Sequence, residues 1–333
     1  MSSPARGSLS RRHEALLLLA GALCLFPPLR AYAGGGVCAP LLLQRNLAGK
    51  VFVVTGATAG IGFETAAALA SQRATVVFGA RDARRGAAAA AAIRARAGGN
   101  ADVTVLPLDL ASFASVRAFA AAVAAAHPRV DALVANAGVM LAPKATTEDG
   151  RDLTMQTNHW SHFLLCEALA PALLAAAPSR IVVLSSAAAH FGDVNFTDLD
   201  WQSRPYGYGV SNYASSKLAN ALHARELAKR WAGAGGVTAV SVDPGAVDTE
   251  LQRHVAVGGA PIGDWLKLVF WPLLKTPWQG AQTTLHALLA DDVPAHAGEF
   301  FADAAPHAVW SSGFTDANAM KLWEASLAAV AGK

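Results

Sequence analysis

Cysteine is scarce in this 333-residue chain: Cys24, Cys38 and Cys166 are the only three, and none stands in a C-x-x-C pair. That excludes a disulfide framework and a thiolate metal site. The ten histidines form no H-E-x-x-H cluster, so no metal centre is expected. His159 and His162 share a helix face with no carboxylate beside them, and packing roles are expected for both. Charge is sparse as well. Asp, Glu, Lys and Arg make up 15% of the residues, the net charge is +3, and the basic side chains are scattered. Those features exclude a nucleic-acid partner. An unbroken apolar run of the ~20 residues that cross a bilayer comfortably is also missing. What the chain does have is a 53% hydrophobic content, ample for a large buried core.

The first residues differ from the rest. Arg11 and Arg12 precede an apolar stretch at 15–26, followed by Pro27-Pro28, Leu29, Arg30 and Ala31-Tyr32-Ala33. Basic residues, a short apolar segment and a small-x-small end fit a secretory signal cleaved near Ala33. Continued to Ala33, with Arg30 snorkelling to the interface, the stretch also fits a marginal membrane anchor. Residues 1–12 are rich in Ser and Arg and free of acids, which fits an organellar transit peptide. The residues alone leave these readings open. Residues 1–48 are read as this segment and its connector, and 49–333 as one domain.

From Gly49 onward, short apolar runs alternate with helical stretches. Strands are predicted at 51–54, 74–78, 103–108, 132–135, 181–184 and 237–242, with helices at 60–71, about 82–96 and after Ser112. The runs are rich in Val, Ile and Leu and do not alternate in polarity, as expected of strands covered on both faces. Strands alternating with helices imply βαβ units. The expected fold is α/β, a single Rossmann-type doubly wound parallel sheet with helices on both faces.

The first strand runs into Thr55-Gly-Ala-Thr-Ala-Gly-Ile-Gly62. Gly56 allows a tight turn, Gly60 lets backbone approach a pyrophosphate, and Gly62 permits close helix–strand packing. The helix N-terminus that follows offers free N–H groups to phosphates. After the second strand comes Arg81, where an NAD site would place an acid to accept from the ribose hydroxyl. A guanidinium suits a 2′-phosphate instead, so NADP(H) is the expected cofactor. Asp82 stands against this if its carboxylate turns inward. Asp109, after the third strand, has the short acceptor an adenine amino group needs.

Tyr213-Ala-Ser-Ser-Lys217 places a phenol and an ammonium one helical turn apart. A neighbouring ammonium favours the phenolate, so Lys217 is expected to bring the Tyr213 pKa down. A tyrosine tuned in this way serves as a general acid or base for a carbonyl or alcohol oxygen.

Taken together, Thr55–Gly62, Asp109-Leu110, Asn136-Ala137-Gly138, Asn158, Ser185-Ser186, Tyr213–Lys217 and Pro244-Gly245 resemble the short-chain dehydrogenase/reductase family, in the family's own order. Arg81-Asp82, Gly-Val-Cys38, Ser-Lys-Leu-Ala-Asn220 and Lys275-Thr-Pro-Trp-Gln-Gly-Ala-Gln-Thr283 are similar to its membrane-anchored, NADP-preferring retinol dehydrogenase branch, with the WW-domain-containing oxidoreductases as close cousins. The resemblance implies a catalytic set of Asn158, Ser186, Tyr213 and Lys217. Tyr213 would exchange the proton and Lys217 would tune it and hold the nicotinamide ribose. Ser186 would bond the substrate oxygen, with Ser185 as the alternative, and Asn158 would hold a relay water. It also implies cofactor contacts at Gly56, Thr58, Gly60, Ile61, Gly62, Arg81, Asp109, Leu110, Asn136, Ala137, Gly138, Tyr213, Lys217, Pro244, Gly245, Val247 and Thr249. Ser186 and Tyr213 lie further apart than is usual in the family, and the extra residues at 192–208 match an insertion of the retinol-type branch. Trp160 and Ser161 depart from the Leu-Gly expected beside Asn158.

Residues 249–279 are expected to form a lid over the substrate. Trp265, Leu266, Leu268, Val269, Phe270, Trp271 and Trp278 give it an apolar, aromatic character that suits a lipophilic alcohol or carbonyl. Packing onto the domain and contact with a membrane interface are the other readings of the same residues. The resemblance favours an uncleaved anchor in the endoplasmic reticulum with the catalytic domain cytosolic, which would leave the Asn195-Phe196-Thr197 glycosylation acceptor unused. It also allows a homodimer. The competing functions are a carbonyl or chlorophyll-type reductase on another bulky apolar ketone, and a non-catalytic scaffold.

Overall fold

Among the described residues, eight strands form one sheet in the order β3-β2-β1-β4-β5-β6-β7-β8. The computed structural model describes residues 35–206, 209–232, 236–248 and 274–331. The strands are β1 (Val51–Thr55), β2 (Thr75–Ala80), β3 (Val103–Pro107), β4 (Ala132–Ala135), β5 (Ser179–Leu184), β6 (Val237–Asp243), β7 (Phe300–Ala302) and β8 (Ala305–His307). The first seven run parallel, and only β8 is antiparallel to its neighbour. Parallel neighbours require crossover connections, which α1 (Gly60–Ser71), α2 (Ala83–Arg96), α3 (Phe113–Ala126), α4 (Leu153–Met155), α5 (Ser161–Ala175), α6 (Val210–Trp231) and α7 (Pro277–Leu289) help to supply, while α8 (Asp316–Val330) closes the described chain.

Side chains alternate across each strand, and here both faces are apolar. Val53, Leu133, Ile181, Val183 and Ala239 point into one core with Phe113 and Phe119 of α3, Phe163 of α5, Leu222 of α6 and Trp323 of α8. Phe52, Val54, Phe78, Val182 and Val240 point into the other with Leu69 of α1, Ile93 of α2 and Leu285 of α7. Each fully buried large side chain contributes roughly 1.5–3 kcal/mol relative to exposure, and that two-sided burial dictates the doubly wound arrangement. It matches the architecture the apolar runs predict.

Local chemistry sets the helix starts. Asp82 caps α2 by accepting from the Arg85 N–H, and Ser112 caps α3 by accepting from the Ser115 N–H. Thr276 and Gln279 form a reciprocal capping box on α7 with Pro277 in its first turn. The segment between α4 and α5, Gln156–Trp160, is a π-helical turn, a feature that often marks functional sites. Among the described residues no helix is long and apolar enough to cross a membrane.

Candidate active site

The carboxyl ends of β1, β2, β3, β4 and β5 open on a cleft of about 540 Å³, in the place where open α/β sheets bind ligands. Its floor is the β1–α1 turn. Gly56 and Gly60 have φ of 71° and 61°, a left-handed backbone that L side chains resist. A Cβ on Gly62 would collide with the Asn136 Nδ2 and the Gly56 carbonyl. The turn therefore has room for backbone only, and its N–H groups lie at the start of α1, where an anion is stabilised.

Thr55 fixes the neighbouring β4 loop against this turn. Its buried Oγ1 accepts from the Asn136 N–H and the Ala137 N–H, each at 2.9 Å. The Asn136 side chain returns a hydrogen bond to the Thr55 carbonyl at 2.7 Å. Gly138 follows, and a Cβ there would stand 3.1 Å from the Asn158 Oδ1.

At the β2 end the cleft is lined by Arg81, Asp82 and Arg85. The Asp82 carboxylate lines the cleft and at the same time caps α2, its Oδ1 accepting from the Arg85 N–H at 2.9 Å. Arg85 escaped notice in the sequence; its signal is the one-turn spacing from Arg81 around a helix cap. Asp109 and Leu110 line the cleft just beyond the end of β3. The Asp109 Oδ1 accepts from the Ala111 N–H at 2.9 Å.

Of the expected cofactor contacts, Gly56, Thr58, Gly60, Ile61, Gly62, Arg81, Asp109, Leu110, Asn136, Ala137, Gly138, Lys217 and Pro244 line the cleft. Tyr213, Gly245 and Val247 do not. Gly245, with φ of 79°, lies beneath the Lys275 side chain, and Val247 packs on Gly280. Thr249 and most of the expected lid fall outside the described residues.

The chemistry-bearing side chains converge behind the cleft. Tyr213 and Lys217 are both buried on α6. The Ser186 hydroxyl accepts from the Ala188 N–H at 3.2 Å and lies near enough to the Tyr213 phenol to favour its ionised form. Ser185 turns the other way and donates to the Lys217 carbonyl at 2.7 Å. Of the two serines, then, Ser186 faces the phenol. Lys217 Nζ donates to the Leu184 carbonyl at 3.1 Å and lies 5.6 Å from the Tyr213 ring centre.

The electrostatics differ from expectation. Burial pushes the Tyr213 phenol up to about 12, the Ser186 hydroxyl opposes it, and the Asp243 carboxylate adds to the rise. Burial pushes Lys217 down to about 8, with Asp243 opposing. Spacing alone predicts the reverse for the phenol, because it counts a nearby charge and omits desolvation. Asp243 is a second residue the sequence reading missed. It ends β6, directly before Pro244-Gly245, and its Oδ1 accepts from the Gly245 N–H at 2.9 Å.

Asn158 is a buckle. Its amide donates to the Val139 carbonyl at 3.0 Å and the Ser216 hydroxyl at 2.9 Å, and accepts from the Val139 N–H at 2.8 Å. Its main-chain carbonyl lies 3.0 Å from His162 Nδ1. His162 Nε2 in turn meets the Thr55 hydroxyl at 2.9 Å. A carbonyl only accepts, so Nδ1 carries the His162 proton and Nε2 accepts from Thr55. The departure at Trp160 leaves this buckle intact: the indole is buried and donates to Asp200 at 3.0 Å. The 192–206 stretch is held in place by Asp198, whose carboxylate accepts from the backbone of Gln202, Ser203 and Arg204.

Among known proteins, residues 50–198 match the family described as short chain dehydrogenase. The chain is 41% identical over 304 residues to retinol dehydrogenase 12 of Bos taurus, covering 90% of this chain and 91% of that protein. A crystal structure of a protein from Mycobacterium paratuberculosis superposes with a TM-score of 0.69 at 32% identity, over 86% of this chain and 95% of that one. The active-site complex of Pseudomonas aeruginosa RhlG with NADP superposes with a TM-score of 0.60 at 27% identity, over 77% and 95% of the two chains.

Proposed function

Since this chain belongs to the short-chain dehydrogenase/reductase family and is an oxidoreductase of retinol dehydrogenase-like type, we propose that it uses NADP(H) to interconvert a lipophilic alcohol and its aldehyde or ketone. The observation that carries this reading is a glycine-floored cleft lined by Lys217 as well as by Arg81 and Arg85, with Tyr213 and Ser186 gathered behind that lysine.

The residues fit a nicotinamide dinucleotide. Gly56, Gly60 and Gly62 leave a backbone cradle for a diphosphate, and Arg81 with Arg85 offers two guanidinium groups to a 2′-phosphate. Lys217 and Pro244 also line the cleft and would hold the nicotinamide end of the cofactor. Bound there, the cofactor supplies the hydride. Tyr213 holds the proton: with its phenol pushed up to about 12, it stays protonated at neutral pH and donates to an oxygen gaining negative charge. Ser186, beside that phenol, donates to the same oxygen and stabilises the developing charge. Lys217 presents a positive charge beneath the phenol, and the Asn158 buckle holds the Val139 loop and α6 in register around it. In the alcohol-to-carbonyl direction each proton movement reverses.

The substrate class rests on the retinol dehydrogenase relatives and on the aromatic character of residues 249–279. The N-terminal apolar stretch supports attachment to a membrane, with the endoplasmic reticulum and a cytosolic catalytic domain as the favoured arrangement. Sedimentation with membranes, with and without residues 1–33, tests that attachment; equal pelleting of both forms rules out the N-terminal stretch as anchor.

The purified chain, offered retinal, smaller aldehydes and bulky ketones with NADPH or NADH, tests the reaction. Oxidation of NADPH with the lipophilic aldehydes is expected. Inertness toward every carbonyl would leave the scaffold reading, and turnover of bulky ketones alone would favour the carbonyl reductase.

A further inference from the structure

Leu184 ends β5, immediately before the Ser185-Ser186 pair. Its carbonyl accepts from two side chains of α6: Lys217 Nζ at 3.1 Å and Asn220 Nδ2 at 2.9 Å. Asn220 is 1% exposed. Its Oδ1 faces His159 Nδ1 at 3.3 Å, and His159 Nε2 lies 3.1 Å from the Ser326 hydroxyl on α8. The direction of each bond in this chain follows from its first member. A carbonyl only accepts, so Asn220 turns its NH2 to Leu184 and its oxygen to His159. That oxygen only accepts, so His159 carries its proton on Nδ1. Burial pushes His159 down to about 3, so the ring is neutral and has one proton to give. Nε2 therefore faces the Ser326 hydroxyl as an acceptor, and shares that hydroxyl's one proton with the Leu322 carbonyl at 2.6 Å.

We propose that Asn220 is a positioning residue for Lys217: it fixes the Leu184 carbonyl that anchors the ammonium, and is itself oriented through His159 by Ser326 of the C-terminal helix. The inference rests on the reading of Tyr213 and Lys217 given above. A lysine ammonium on its four-carbon stem has no directional preference of its own, so the oxygen it binds sets where it stands. Asn220 places a second N–H on that oxygen, competing with the ammonium for it. The charged and titratable groups facing Lys217 are Asp243 of β6, Tyr213 of α6 and the neutral His162 of α5; none of these replaces the amide.

The test compares Asn220→Leu, Ser326→Ala and Tyr213→Phe, each in the full chain, by steady-state kinetics across pH with NADPH and a lipophilic aldehyde. Asn220→Leu should lower kcat by about 10- to 100-fold, the scale of a misplaced catalytic group, with little change in KM for NADPH. Its alkaline limb should move up by about half a pH unit or more, because the ammonium no longer shares its acceptor. Ser326→Ala, a small change that α-helix tolerates, should move both quantities in the same direction by less, and decides the matter if Asn220→Leu does not fold. Lowered thermal stability with wild-type kcat and an unmoved limb in the folded variants overturns the proposal. Inactive Tyr213→Phe beside wild-type kinetics in the other two would defeat this inference alone; active Tyr213→Phe would overturn it together with the reading of the site.

Discussion

At the residue scale the site depends on two opposed displacements, a phenol pushed up to about 12 and an amine pushed down to about 8. Both have burial as their first cause. The consequence for pH is direct. Lys217 is charged below about 8 and neutral above, so carbonyl reduction should hold level from pH 6 to 7.5 and fall as pH rises through about 8. A limb centred near the ordinary lysine value of ~10.4 would show that the ammonium is not buried in the working enzyme. The pH profile of kcat/KM, which reports the free enzyme, is the measurement. These residue identities were legible in the sequence, because Tyr213 and Lys217 keep helical spacing and Ser186 belongs to a recognisable pair. The sign of the phenol's displacement was not, since spacing describes neighbours along a helix and says nothing of the water removed around them. The parts played by Asp243 and Asn220 were hidden for a related reason: Asp243 faces Tyr213 and Lys217 from β6, and Asn220 reaches Leu184 of β5 and His159, partners distant in sequence.

At the element scale the proposed preference for NADPH rests on the β2–α2 junction. Arg81, Asp82 and Arg85 all line the cleft, and Asp82 also caps the helix. Arg81→Asp should weaken NADPH binding by about tenfold or more, the loss of one charge-assisted hydrogen bond, and leave NADH binding much less affected. Asp82→Ala should lower stability by about 1 kcal/mol through the lost cap without tightening NADPH binding. Equilibrium binding titrations and urea unfolding of the two variants read these outcomes. A large gain in NADPH affinity for Asp82→Ala would mean that the carboxylate repels the phosphate after all. Strands β1 to β6 could be read from their apolar runs to within one or two residues at most ends. β7 and β8 could not. Each is three residues long, and the turn between them uses Asp303 and Ala304 at φ of 49° and 59° in place of the Asn-Gly or Asp-Gly signal of a tight hairpin. The π-helical turn at Gln156–Trp160 likewise has no sequence signature that separates it from an ordinary helix.

At the scale of the whole molecule, the core between α5, α6 and α8 contains three buried histidines. His159 packs 5.6 Å from His223, which also meets Phe163 at 5.2 Å and Trp323 at 6.0 Å. Among the described residues, neither nitrogen of His223 has a hydrogen-bond partner. Burial pushes His159 down to about 3, His162 down to about 4 and His223 well below its ordinary value. A group whose folded pKa is depressed binds its proton more readily unfolded, so stability is complete above the unfolded value of ~6.5 and falls as pH drops toward 4. The thermal midpoint should decline across that window, and His223→Phe, which removes a proton acceptor from an aromatic nest, should flatten the decline. An unchanged acid slope in His223→Phe would place the sensitivity elsewhere. The sequence offered the histidines' helical spacing but not their shared core, which three helices distant in sequence assemble.

The central claim is that the Tyr213 hydroxyl delivers the proton while the cleft binds the dinucleotide independently of it. Tyr213→Phe removes that oxygen and keeps the ring. Single-turnover reduction of a lipophilic aldehyde, measured beside the Kd for NADPH, separates the two roles. The rate should fall by about 10²- to 10⁴-fold with Kd nearly unchanged; a variant that still turned over at close to the wild-type rate would contradict the account.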